Sequence, residues 1–146
     1  MPLNPERDEC GEVVPHDDPE LRPETFLIRN INPEYHLVPD ENTGGQRIGS
    51  SAFSATNGDP TYGMSADLSQ IIDEAGASLL VNVPNGFGAV LIPVSRVRGL
   101  GLPVGSDPVH NNKYHGQIWG VKKPKRTKIH SVVEKWLVPL PGIAIR

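Results

Sequence analysis

Apolar residues along the chain fall into short runs bounded by turn-forming residues, a pattern that is typical of strands. The predicted strands are residues 26–31, 34–38, 46–53, 78–83, 89–94 and 114–121. Residues 26–31 are a short buried strand, with 34–38 as its partner or continuation. Residues 46–53 are a half-strand rich in small and hydroxylated residues. The fourth and fifth are apolar enough for two central strands joined by a hairpin-type connection.

Two other segments have helical spacing, with apolar residues at i, i+3, i+4 and i+7. The apolar residues of the first are Leu68, Ile71, Ile72 and Ala75, and those of the second are Ile129, Val132, Val133 and Trp136. The spacing predicts helices over residues 65–75 and 125–137. We expect Ser65 to cap the helix over residues 65–75 and Gly76 to end it. A third segment, residues 95–98, is predicted to form one helical turn.

Glycine and proline occur throughout the chain, with 15 residues of each among 146, and this composition excludes long helices. The length fits one domain. We therefore predict an α+β fold with a small mixed or antiparallel sheet, two short helices and an irregular N-terminal arm. The arm covers residues 1–24, and a single α+β domain covers residues 25–146.

Charge divides the chain into unlike segments. Residues 1–24 hold 2 basic and 8 acidic residues. Residues 25–84 hold 2 basic and 7 acidic residues, whereas residues 85–146 hold 10 basic and 2 acidic residues. The first segment is too acidic and proline-rich to fold alone, so we expect an arm that docks on its own domain or on a neighbour. The basic last segment either neutralises the acidic remainder or presents a surface to an anion.

Several classes of protein are excluded at this point. No run of 18 apolar residues predicts a membrane span, the first residues do not resemble a secretory signal, and the single Cys10 favours a reducing cytoplasm. Residues 44–51 have the glycine spacing of a phosphate loop, but Ser50 stands where the lysine must be. Residues 99–105 fail as a dinucleotide fingerprint because their third glycine comes one place late. We expect no cofactor and no metal.

The start of the second predicted helix carries an unusual cluster of cations, at the end where the helix dipole is already positive. They are Lys122, Lys123, Lys125, Arg126 and Lys128. A bound anion would compensate for this repulsion, so we predict that the cluster binds phosphate, with Tyr114 and Trp119 available for base stacking. The alternatives are a solvated basic patch, or a clamp for the acidic arm.

Histidines in the basic segment offer acid-base chemistry. His115, with nearby lysines, could act on a phosphodiester, because imidazole titrates near working pH. A metal site built from Asp107, His110, His115 and His130 is a weaker alternative, since their spacing matches no known zinc pattern. A purely structural role, with His115 hydrogen-bonded within its strand, is the simplest interpretation.

Several short segments resemble a group of small uncharacterised bacterial proteins with Ser-Ser-Ala-Ala-Phe, Leu-Ser-Val-Asp and Asp-Pro...Asn-Pro-Ala-His segments. Here the corresponding residues are 47–53, 64–67, 107–108 and 112–115, with an additional Gly49 and with Lys113-Tyr114 in place of Pro-Ala. The resemblance spans roughly residues 26–136. It implies a shared site for Arg47, Ser50, Ser51, Asp67 and His115, and it implies no particular activity.

These observations favour a phosphate-directed protein that acts on or binds RNA or a nucleotide, such as a small toxin-type or defence-type ribonuclease. In this hypothesis His115, Arg47 and Ser51 are the catalytic residues. The alternative is a non-catalytic interaction or structural module that uses the acidic arm and the basic C-terminal third. In that case residues 1–24 bind a protein partner or a second copy of the chain. Whether the chain is an enzyme stays open.

Overall fold

The α+β class is confirmed by a computed structural model, which describes residues 4–146. The strands are β1 Phe26–Ile31, β2 Leu37–Pro39, β3 Gln46–Ile48, β4 Met64–Leu68, β5 Gly88–Pro93, β6 Val104–Ser106, β7 His115–Ile118, β8 Lys135–Val138 and β9 Ile143–Ala144. The α-helices are α1 Ser69–Glu74, α2 Val94–Gly99 and α3 Lys123–Ser131, and Ser50–Phe53 and Thr56–Gly58 are 3₁₀ helices. Prolines and glycines keep all of these elements short.

Six strands form an antiparallel sheet in the order β6-β7-β4-β1-β5-β8, and β2, β3 and β9 form a small second sheet. Alternation along the strands gives the large sheet two different faces. Leu27, Leu68 and Ile118 belong to the main core, which also contains Phe53 of the first 3₁₀ helix and Ile129 of α3. This face is the packed interior of the molecule.

The opposite face of the large sheet is only partly apolar. Ile28, Ala89 and Leu91 form a small cluster together with Ile72 of α1. Next to this cluster the polar residues of β4 and β7 occupy the same face, because Ile28 pairs with Asp67 and Asp67 pairs with His115. The sheet therefore places a polar region beside a small second core.

The helix predicted over residues 65–75 is partly wrong. Residues Met64–Leu68 form strand β4, with Met64, Ala66 and Leu68 buried, and the helix begins only at Ser69. Leu68 fits both the alternating and the helical spacing, so the local pattern did not separate them. Pairing with β1 and β7 decides the outcome, and Ser65 is a strand residue rather than a helix cap.

Other boundaries also need correction. Residues 78–83 form turns instead of a central strand, and 34–38 contribute only the start of β2, which pairs with β3 rather than with β1. The predicted half-strand 46–53 ends at Ile48 and continues into a 3₁₀ helix. The last helix ends at Ser131, and Trp136 lies in β8.

The described part of the arm, residues 4–24, packs against the rest of its own chain. Leu21 is buried in the main core. Arg98 of α2 donates to the carboxylate of Asp17 and to the backbone carbonyls of Asp18 and Leu21. The cations at the start of α3 make none of the arm's hydrogen bonds or ion pairs among residues 4–146. The arm is held by α1, α2 and β6 and not by the predicted α3 clamp.

Candidate functional site

The polar region of the large sheet opens into a cavity of about 340 Å³. Strands β1, β4 and β7 form its floor, and the segments that follow β1, α1 and β6 form its walls. Its polar lining residues are Arg29, Asn30, Asn32, His36, Ser65, Asp67, Asn82, Asn112 and His115. Phe87 supplies an aromatic ring. A concave site with several convergent polar groups is the usual form of a ligand-binding site.

Asp67 organises one wall of the cavity. Its Oδ1 accepts a hydrogen bond from Asn112 Nδ2 at 2.8 Å, and its Oδ2 accepts one from Asn82 Nδ2 at 2.9 Å. Asn82 Nδ2 also donates to Asn112 Oδ1 at 3.0 Å. The three side chains therefore form a closed ring of hydrogen bonds that joins strand β4 to two separate loops.

The tautomer of His115 follows from its surroundings. Nδ1 lies 2.7 Å from the backbone carbonyl oxygen of Asp107, and a carbonyl can only accept, so Nδ1 carries the proton. In the neutral ring Nε2 then has a free lone pair. The Asp107 carboxylate Oδ2 lies 3.6 Å from the same Nδ1 and is held by Gln117 Nε2. This carboxylate and that of Asp67 on the neighbouring strand would attract a positively charged His115 ring.

His36 has the opposite arrangement. Its Nδ1 accepts the backbone N–H of Asn32 at 2.9 Å, so the neutral ring carries its proton on Nε2 and can donate it. Burial lowers the pKa of His36, and the positive charge of Arg29 lowers it further. His36 is consequently a neutral hydrogen-bond donor at pH 7.

Arg29 supplies the positive charge of the cavity. The ladder between β1 and β4 ends at the Ile28–Asp67 pair, and beyond it Arg29 Nη1 donates to the carbonyl of Ser65 while Nε donates to that of Ala52. No ion pair found within residues 4–146 includes Arg29. Burial lowers its pKa to about 10, so it remains charged at neutral pH. Its charge is fixed by backbone carbonyls and is not neutralised by a carboxylate.

The predicted catalytic residues His115, Arg47 and Ser51, and the other residues of the site implied by the resemblance, do not all meet at this cavity. His115 and Asp67 line it, whereas Arg47, Ser50 and Ser51 do not. Arg47 lies on β3 and its Nη1 donates to the carbonyl of Ile48. Ser51 is an exposed residue of the 3₁₀ helix Ser50–Phe53. That helix contacts the cavity residue Arg29 through the Ala52 carbonyl, which accepts a hydrogen bond from Arg29 Nε.

The predicted phosphate-binding cations surround the start of α3, outside this cavity. Lys122, Lys123 and Lys128 are exposed, and no acidic residue lies in the first turn. Lys125 Nζ donates to the backbone carbonyl of Leu100. Arg126 is half-buried beside the 3₁₀ helix Thr56–Gly58, with its Nη2 close to Gly58. Three of the five cations are thus free to attract a distant anion.

The two aromatic residues predicted for base stacking differ in exposure. Tyr114 is half-buried, and the Nζ of Lys113 lies 5.5 Å from its ring centroid. Trp119 is only 6% exposed, and its ring contacts that of His16 in the arm at a centroid distance of 5.0 Å. In this arrangement the arm covers Trp119, and only Tyr114 presents part of its ring to solvent.

The metal alternative from the sequence does not assemble. His130 stacks on Phe53 in the main core, whereas His115 contacts Asp107 and lines the polar cavity. Within residues 4–146 no group of three or more histidine, cysteine or acidic side chains is placed to hold a metal ion. The cavity must therefore be interpreted from its hydrogen-bonding groups.

Sequence reasoning missed Arg29, His36 and the two asparagines of the hydrogen-bonded ring. Arg29 did leave a signal, because it is the one charged residue in a mostly apolar strand. Asn82 lay in a segment that was predicted as a strand, and His36 in one predicted as the partner of β1. Both lie in loop segments whose position depends on the tertiary fold.

No family model, no curated protein and no solved structure matches this chain. None of the helices within residues 4–146 is long and apolar enough to cross a membrane. The interpretation of the site consequently rests on its own geometry.

Proposed function

We propose that the polar cavity binds a nucleotide unit of single-stranded RNA and that His115 promotes cleavage of the phosphodiester next to it. One observation carries this proposal. Two histidines of opposite hydrogen-bonding character line one cavity together with an arginine that no carboxylate neutralises. Metal-free cleavage of RNA needs this combination: a proton acceptor for the attacking hydroxyl, and donors for the charge that develops on phosphate.

Each group has a definite part in the reaction. His115 Nε2 takes the proton of the ribose 2′-hydroxyl, whose oxygen attacks the adjacent phosphorus. The non-bridging oxygens accept hydrogen bonds from Arg29 and from Nε2–H of His36, and these bonds are short and strong because one partner is charged. The bond to the 5′ oxygen breaks, and that oxygen takes its proton from water. Asp67 and Asp107 stabilise the protonated ring of His115.

The remaining lining suits a nucleoside more than a simple anion. Asparagine is the most frequent residue type in the lining, with four residues, and Phe87 offers a ring on which a base can stack. The exposed lysines at the start of α3 raise the local concentration of RNA through their charge. We place this activity in the cytoplasm, because the single cysteine, Cys10, is exposed and unpaired.

The test is a binding and cleavage assay with fluorescent single-stranded RNA across a salt series. We expect His115→Ala to bind RNA as the unaltered protein does but to cleave about 10²- to 10⁴-fold more slowly, with added imidazole restoring part of the rate. Arg29→Gln should weaken binding, whereas Lys135→Gln, which removes an exposed cation of β8, should not. DNA of the same sequence should bind without being cleaved, because it lacks the 2′-hydroxyl.

Three results would overturn the proposal. The first is cleavage by His115→Ala at the unaltered rate, which would assign any activity to another site or to a contaminant. The second is the absence of RNA binding at low salt. Binding that is lost after charge reversal of the five cations of α3, but not in Arg29→Gln, would place the RNA on the helix instead of in the cavity.

A further inference from the structure

A second cavity, of about 310 Å³, lies directly beside the first. Asn82 and Asn112 line both cavities. The hydrogen bond from Asn82 Nδ2 to Asn112 Oδ1, 3.0 Å long, therefore forms the ridge between them. Because the two cavities share these two side chains, a polymer bound across the ridge contacts both cavities.

The ridge is a fixed part of the fold. Asp67 accepts one hydrogen bond from each asparagine, and the backbone carbonyl of Asn82 accepts another from Asn30 Nδ2. Asn112 Oδ1 also accepts the backbone N–H of Tyr114. Because both asparagines are held from several sides, the ridge separates the two cavities in a defined geometry.

The two cavities differ in charge. The first holds Arg29 and Asp67, whose charges are opposite. Among the residues that line the second, Lys113 carries a positive charge and no residue is acidic. Lys113 is exposed and takes part in none of the ion pairs within residues 4–146. The second cavity consequently favours an anionic group.

Aromatic and polar groups complete the second cavity. Lys113 Nζ lies 5.5 Å from the ring centroid of Tyr114, so a phosphate held by the lysine would lie close to this ring. His110 and Val81 also line the cavity and are exposed. A cation beside an aromatic ring is the arrangement by which proteins bind one unit of a single-stranded nucleic acid.

We infer that the second cavity is a subsite for the neighbouring nucleotide, in which Lys113 holds a phosphate and Tyr114 contacts a base. This inference rests on the proposed function of the first cavity. The substrate is then a single strand of at least two nucleotides that crosses the Asn82–Asn112 ridge. A mononucleotide fills the first cavity alone and gains nothing from Lys113.

The inference is tested with the full chain and two sets of probes that cannot be cleaved. The first set is nucleoside 3′-monophosphates, and the second is 2′-O-methyl dinucleotides that carry a 3′-phosphate. Titration calorimetry should show that the dinucleotides bind more tightly than the mononucleotides. Lys113→Ala should weaken dinucleotide binding about tenfold, the loss of one charge-assisted hydrogen bond, and leave mononucleotide binding unchanged. Lys135→Ala, which removes an exposed cation of β8, is the matched control.

The outcomes separate the two proposals. If mononucleotides bind and the dinucleotides bind no more tightly, the second subsite is wrong while the first cavity stands. If Lys113→Ala weakened the binding of mononucleotides and dinucleotides equally, the subsite would also be overturned, because the lysine would then act at the first cavity. If neither probe binds the unaltered protein, both proposals fail.

Discussion

The carboxylate of Asp18 accepts the backbone N–H of Ser106, with Oδ2 and N separated by 2.6 Å. Asp17 Oδ1 accepts the N–H of Val104 in the same way at 3.0 Å. Strand β6 is an edge of the large sheet, so these alternate N–H groups point away from β7 and would otherwise be open to another strand. Two acidic side chains of the arm thus cover an edge that could otherwise pair with another chain.

Removal of this contact should weaken the fold. We expect Asp18→Ala to lower the free energy of unfolding by about 1–3 kcal/mol, because the Ser106 N–H loses its charged acceptor. Urea unfolding measures the change, and amide exchange at Ser106 should become faster. Glu20→Ala is the matched control, since Glu20 is an exposed acidic residue of the same arm. Equal stability of the two variants would show that the carboxylate is not needed.

Close packing in the middle of the sheet gives a second prediction, at Gly116 of β7. A Cβ atom there would lie 2.7 Å from Leu68 Cδ2 and 2.9 Å from the carbonyl oxygen of Gly105. We expect Gly116→Ala to cost about 1–3 kcal/mol of stability through overpacking. Gly99, the last residue of α2, has open space at the same position, so Gly99→Ala should be tolerated. Thermal unfolding of both variants checks the contrast, and a Gly116→Ala protein as stable as Gly99→Ala would contradict it.

Elements whose pattern was unambiguous were predicted well. The run 26–31 is strand β1 with the same boundaries, because all six of its residues pair with β5, and Leu27 and Ile28 also pair with β4. Boundaries failed where one residue satisfied two periodicities, as Leu68 does, or where a helix and a strand follow each other closely, as α3 and β8 do. In those places the long-range strand pairing decides the structure, and a short window of sequence does not contain it.

The site was predictable only in part for a related reason. His115 was singled out as an acid-base candidate, and it does line a polar cavity. Its partners come from segments distant in sequence, since Arg29 precedes it by more than eighty residues. The tautomers of His36 and His115 depend on backbone groups, and sequence spacing does not show these.

Arg29 connects the fold and the site, which gives a third prediction. Its Nε and Nη1 donate to two backbone carbonyls, at 2.9 Å and 2.7 Å, and a lysine ammonium cannot reproduce this planar fork. Arg29→Lys should therefore lose about 1–3 kcal/mol of stability and also bind nucleotides more weakly, although its charge is kept. Lys135→Arg is the reverse exchange at an exposed position and should change neither quantity. Urea unfolding and nucleotide titration measure the two effects. Unchanged values in Arg29→Lys would show that only the charge matters.

Two histidines make stability depend on pH, and the sign follows from their burial. His36 and His130 both have a pKa lowered from the usual 6.5, chiefly because burial disfavours the charged ring. The charges of Arg146 and Arg47 lower the pKa of His130 further, while its hydrogen bond to the Ile145 carbonyl acts in the opposite direction. At pH values between the pKa of each histidine in the folded state and its pKa in the unfolded state, the unfolded chain binds more protons than the folded one. The free energy of unfolding therefore rises with pH in that window.

The protein should accordingly be more stable at pH 7.5 than at pH 5.5, with the loss beginning as the pH falls through about 6.5, where the unfolded histidines take up protons. Replacement of one of the two should reduce this dependence. His130→Gln removes the ring that must stay neutral against Phe53, so its stability should fall less between the two pH values, even though the variant is less stable overall. His110→Gln alters an exposed histidine and should keep the full dependence. Urea unfolding at a series of pH values measures the slope of the unfolding free energy against pH for both variants. A slope in His130→Gln equal to that of the unaltered protein would mean that other groups cause the loss at low pH.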